Sequence, residues 1–123
     1  FLSGKSKQIS YASQVWLILG GAVSQEEGLK ILHNVAEYED AIDMVTPYMH
    51  HYYIEALISC GAMDEALDVM RKYWGGMAKL GADTFWELYN PKNPDESPYG
   101  GTIVNSYCHA WSCAPAYFLR KYF

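Results

Sequence analysis

The side chains best suited to chemistry stand next to each other at Trp86-Glu87, closing the run Gly81-Ala82-Asp83-Thr84-Phe85. An indole offers a flat apolar face to a pyranose ring. A carboxylate beside it can deprotonate a water or protonate a leaving oxygen. These are the ingredients of a sugar site. Spacing alone favours a plainer account, with Trp86 a core aromatic and Glu87 a surface charge. A second candidate is His109, within Ser106-Tyr107-Cys108-His109-Ala110-Trp111-Ser112, whose ring nitrogens suit substrate hydroxyls. Unaided, that residue reads more readily as a core histidine with its hydrogen bonds satisfied.

Other chemistries are poorly served. His50-His51 looks like a metal pair, but adjacent helical residues point about 100° apart. Neither an H-E-x-x-H motif nor a zinc cluster accompanies them, so no metal site and no cofactor are expected. Gly20-Gly21, Gly75-Gly76 and Gly100-Gly101 lack the spacing of a phosphate loop, and no G-x-S-x-G elbow is present. The three cysteines, Cys60, Cys108 and Cys113, are odd in number and show no C-x-x-C, so free, buried thiols are expected. A net charge of −5, with no basic patch, argues against nucleic acid as a partner. No run approaches the roughly 20 apolar residues of a membrane span. The chain opens at Phe1 without an initiator Met, as expected of a processed or cut piece, and no signal peptide is visible. Its compartment is open.

The elements that must position these residues read as helices. The 123 residues are half hydrophobic, with 11 Tyr and 4 Trp, which fits a single packed domain rather than disorder. Gln14–Leu19 is a short apolar stretch stopped at Gly20-Gly21. Ser24 and Glu27 have capping-box spacing ahead of Leu29, Leu32, Val35 and Ala36. Thr46-Pro47 opens a helix over Tyr48–Ser59 that ends at Cys60-Gly61. Its apolar residues lie on nearly all sides, the mark of an inner helix. Near Asp64 an outer helix begins, carrying Leu67, Met70, Trp74, Met77 and Leu80 on one stripe and Asp68, Arg71, Lys72 and Lys79 on the other. Glu87 is expected at the end of this helix. Asn90–Tyr99 is a loop, and Thr102-Ile103-Val104 is at most one short extended piece. A helical stripe resumes over Ser106–Tyr122, with a kink or break near Pro115. About five helices result, and the expected fold is all-α.

The run Tyr73-Trp74-Gly75-Gly76-Met77, then Gly81-Ala82-Asp83-Thr84-Phe85-Trp86-Glu87, resembles the "YWG-M…GA-T-WE" stretch of bacterial α-L-rhamnosidases, glycoside hydrolase family 78. Ser106-Tyr107-Cys108-His109-Ala110-Trp111-Ser112 with Ala114-Pro115 is similar to that family's "S-x-C-HAWS-x-x-P" segment. Thr46-Pro47-Tyr48 with Glu55-Ala56-Leu57 and Gly61 matches the preceding helix. The resemblance implies helical hairpins forming part of an (α/α)6 toroid, an incomplete ring, with residues 1–123 a single partial domain from its C-terminal portion. It implies an inverting glycosidase that removes terminal α-L-rhamnose from a glycoside or polysaccharide. By position in the motif Glu87 matches the general base, Trp86 and His109 match sugar-subsite residues, and Trp111 lines the same subsite. The family's general acid belongs to the earlier half of the ring, so the piece alone is expected to be inactive.

With hairpins missing, the apolar helix 48–58 is expected to present a bare surface, which favours self-association. The resemblance fits an exported or a cytoplasmic protein alike. Alternation of outer and inner helices also describes a helical-repeat interaction module. Related six-hairpin enzymes act on other sugars, and that reading stays open too.

Overall fold

A computed structural model describes all 123 residues. The chain is all-α. Five α-helices follow in order: α1 (Tyr11–Leu19), α2 (Gln25–Glu37), α3 (Pro47–Ser59), α4 (Met63–Lys79) and α5 (Ala114–Tyr122). Two 3-10 turns, Thr102–Val104 and Ala110–Ser112, precede α5. Backbone pairing outside the helices is limited to two isolated bridges, Ser3 with Gln8 and Ser10 with Ile42. Two compact units share these elements, one of residues 1–44 and 52–67, the other of residues 45–51 and 68–123.

In the first unit local chemistry sets the helix ends. The Ser10 hydroxyl caps α1 by accepting from the Ser13 N–H at 3.1 Å. At the other end Gly21, at φ +75°, lets its own N–H reach Ile18 O at 3.0 Å and that of Ala22 reach Leu17 O at 2.9 Å. A side chain at Gly21 would oppose this left-handed turn. The expected capping box forms at α2: Ser24 Oγ accepts from Glu27 N–H, and the Glu27 carboxylate accepts from Ser24 N–H. The Ser24 hydroxyl, which also donates to the Glu27 carboxylate at 2.8 Å, and then the Ser24 N–H hold that carboxyl below its ordinary pKa. Val15, Ile18, Leu32, Val35, Ile54 and Leu57 fill the core. Gly28 of α2 is buried, and the position admits no side chain, since a Cβ there would lie 2.8 Å from Cys60 Sγ. Tyr11 meets Tyr53 edge to face at 5.5 Å, and burial pushes the Tyr53 hydroxyl up to about 12.

The second unit closes around Met70, Tyr73, Trp74 and Met77 of α4, Leu88 and Tyr89 beyond it, and Ala114 and Phe118 of α5. His50 stacks on Tyr73 with ring centroids 3.6 Å apart, and its Nδ1 lies 2.9 Å from Thr46 O. The Tyr73 hydroxyl donates to Val45 O at 3.1 Å. Burial raises the pKa of that hydroxyl well above the usual tyrosine value. His51 instead faces Tyr117 and Phe118, with centroids at 5.5 and 4.7 Å. The two histidines therefore diverge as adjacent helical residues must.

Several sequence expectations are corrected. The α4 stripe holds through Met77, but Leu80 lies past the helix end and is exposed. Residues 106–113 are not helical apart from the 3-10 turn; α5 starts at Ala114, with Pro115 in its first turn. There the missing N–H costs nothing, so Pro115 begins a helix rather than kinking one. Thr102–Val104 is a 3-10 turn, not an extended piece. All three thiols are free, but only Cys60 is buried; Cys108 and Cys113 are exposed. The bare apolar surface expected on α3 is not there, since only Tyr48 and Ser59 of that helix are exposed. Exposed apolar side chains concentrate elsewhere, with Ile103 at 93%.

Candidate active site

The carboxylate of Glu87 sits well beyond the end of α4, not at it. Residues 84–89 form an irregular segment that runs antiparallel to residues 106–109. Glu87 N–H donates to Ser106 O at 2.9 Å, and His109 N–H donates to Phe85 O at 2.8 Å. The Thr84 hydroxyl, one residue before Phe85, also donates to Tyr107 O. Gly81, at φ +94°, makes the turn that leads into this segment, with its N–H on Ala78 O at 3.0 Å. The site is thus two loop segments paired through backbone groups, anchored between α4 and α5.

The half-buried Glu87 is held at three points. One carboxylate oxygen, Oε2, accepts from the Ser106 N–H at 2.8 Å. Its backbone N–H is bound to Ser106 O, as above. Its carbonyl accepts from the indole Nε1 of Trp111 at 3.0 Å. A carboxylate with one oxygen fixed by a backbone donor and the other left for a water has the valence a general base needs.

Trp111 connects the other candidates. Its ring lies 4.5 Å from that of His109 and 5.8 Å from that of Tyr48. Its backbone N–H donates to His109 Nδ1 at 3.3 Å, so that nitrogen is the acceptor and Nε2 carries the proton of the neutral ring. His109, Trp111 and Glu87 are therefore brought together. Trp86 is adjacent in sequence but serves a different space. Its ring meets Tyr107 edge to face at 5.3 Å and lines a cleft of about 250 Å³ with Leu88, Asp95, Asn105 and Tyr107. No three His, Cys, Asp or Glu side chains gather to form a metal cluster.

Sequence reasoning missed Ser106 and Ser112. The first supplies the N–H that binds the Glu87 carboxylate. The second is fully buried; its hydroxyl donates to Trp86 O, and its carbonyl accepts from the buried indole of Trp74 at 2.9 Å. Both act through partners 19 to 38 positions away. Only the placement of a serine inside an aromatic-rich motif hinted at them.

Compared with solved structures, the chain superposes on a rhamnosidase from Klebsiella oxytoca with rhamnose bound at a TM-score of 0.94 and 48% identity, covering 99% of this chain and 24% of that one. A GH78 family rhamnosidase of Bacillus sp. GL1 matches at a TM-score of 0.76 and 32% identity, over 93% of this chain and 12% of that one. No family model matches the chain, and no curated protein does. Fold and site together define an all-α segment of the (α/α)6 glycosidase type. The chain belongs to the glycoside hydrolase family 78 rhamnosidases, and it spans less than a quarter of the length of these relatives.

Proposed function

We propose that this chain is the C-terminal part of the catalytic domain of an inverting α-L-rhamnosidase, in which Glu87 is the general base. The observation that carries this reading is the hold on Glu87: one carboxylate oxygen on the Ser106 N–H, its backbone on Ser106 and Trp111, and the His109 ring beside that Trp. In an inverting hydrolysis one carboxylic acid protonates the leaving oxygen while a carboxylate on the opposite face deprotonates the attacking water. The two stand roughly 6.5–9.5 Å apart to admit it. Glu87 takes the second role. His109 donates through Nε2 to a sugar hydroxyl and the Trp111 ring gives the sugar an apolar wall, while Trp86 lines the neighbouring cleft, where it can meet the rest of the substrate. The substrate class is a terminal α-L-rhamnoside, in keeping with the rhamnose bound by the Klebsiella enzyme.

The general acid lies outside these 123 residues, so the isolated chain is expected to show no turnover of an aryl α-L-rhamnoside, while a full-length protein carrying it hydrolyses the same substrate. A chromogenic assay of both tests this. Turnover by the isolated chain that is lost in Glu87→Gln would show that both carboxylates reside here. Absence of turnover by the full-length protein would defeat the rhamnosidase reading.

A further inference from the structure

Resting on the role proposed for Glu87, we infer that Ser112 is a positioning residue, the strut that fixes the Trp86-Glu87 peptide against α4 so that the carboxylate is aimed before substrate arrives. Ser112 is the only serine with no exposed surface, and it touches neither the Glu87 carboxylate nor the cleft beside Trp86. Both its polar ends are nevertheless committed. Its hydroxyl donates to the carbonyl of Trp86, the peptide group joined directly to Glu87 N–H. Its own carbonyl accepts from Trp74 Nε1, and Trp74 is anchored in the middle of the unit by edge contacts to Tyr73 and His50.

The resulting chain of contacts is continuous: α4, Trp74, Ser112, the 86–87 peptide, Glu87. The peptide between Trp86 and Glu87 is then gripped on both sides, its carbonyl by Ser112 and its N–H by Ser106 O. Two bonds on one peptide plane remove its freedom to rotate, and peptide rotation is what would swing the carboxylate. The segment has no helix or strand of its own to supply this rigidity. Without the Ser112 hydroxyl, the Trp86 carbonyl loses the donor that buried Ser112 supplies and the segment relaxes to find another. A displacement of about 1 Å at a catalytic group can lower the rate on the order of 100-fold.

The test is a double-mutant cycle in the full-length enzyme on an aryl α-L-rhamnoside, with circular dichroism and thermal melts on each variant. Ser112→Ala is expected to lower kcat by about 10- to 100-fold with KM within about 3-fold. In the Glu87→Gln background the same change is expected to lower kcat no further, because a strut has nothing left to aim. Should Ser112→Ala fail to fold, Ser112→Cys, which keeps the shape but offers only a weak donor, goes through the same cycle. A full, additive loss in the Glu87→Gln background, or a wild-type kcat for a folded Ser112 variant, overturns the inference. Near wild-type activity of Glu87→Gln itself would instead overturn the role of Glu87 on which it rests.

Discussion

Glu87→Gln in the full-length enzyme is expected to lower kcat on an aryl α-L-rhamnoside by about 10²- to 10⁴-fold, the range a positioned base contributes. The substitution is chosen to separate chemistry from structure. Glutamine keeps an oxygen to accept from the Ser106 N–H, and both backbone bonds of residue 87 are indifferent to the side chain. The segment should stay in place while the group that takes the proton of water is gone. KM is expected to move little, since the loss falls on the transition state. Steady-state kinetics beside a thermal melt check this; an unfolded variant, or a kcat within a few-fold of the parent's, would each tell against the role proposed.

The second large effect concerns folding, and its sign is the informative part. Gly75 and Gly76 are neighbours near the end of α4, where alanine is normally worth about 1 kcal/mol more than glycine. Beside Gly75 a Cβ meets nothing within 4 Å. At Gly76 it would lie 2.5 Å from the Tyr89 hydroxyl oxygen and under 3 Å from two of its ring carbons. Tyr89 is buried and held edge to face against Tyr73 at 5.4 Å, so its ring has little room to retreat. Gly75→Ala should therefore leave the melting temperature unchanged or raise it. Gly76→Ala should lower it by the equivalent of about 1–3 kcal/mol, the usual cost of overpacking. Because Tyr89 continues the segment that carries Glu87, activity should fall with it. Equal stabilisation by both substitutions would mean that α4 and Tyr89 do not pack as described.

What the sequence made legible was local. The capping box at Ser24, the start of α3 at Pro47 and the glycine stop after α1 depend on groups within five residues of each other, and all three appear where their residues call for them. The stretch from Ser106 to Cys113 failed for an equally physical reason. Tyr107, Ala110, Trp111 and Ala114 recur at helical spacing, but Ser106, His109, Trp111 and Ser112 bond across to Glu87, Phe85 and Trp86, and the local bonds that remain, such as Ser112 N–H to His109 O, close only a single 3-10 turn. Apolar periodicity cannot distinguish a helix face from a loop whose aromatics are used one at a time. The same limit hid the split between Trp86 and Glu87. Adjacent in sequence, they looked like one sugar site; in the structure the indole lines one cleft while the carboxylate turns to Ser106.

The most direct test of Glu87 as a water-activating base is the stereochemistry of the first product. Proton NMR of the full-length enzyme acting on an aryl α-L-rhamnoside should show β-L-rhamnose forming first, with the α anomer appearing only as mutarotation proceeds. The α anomer as first product would mean retention through a covalent intermediate. It would contradict the assignment of Glu87 as a base acting on water.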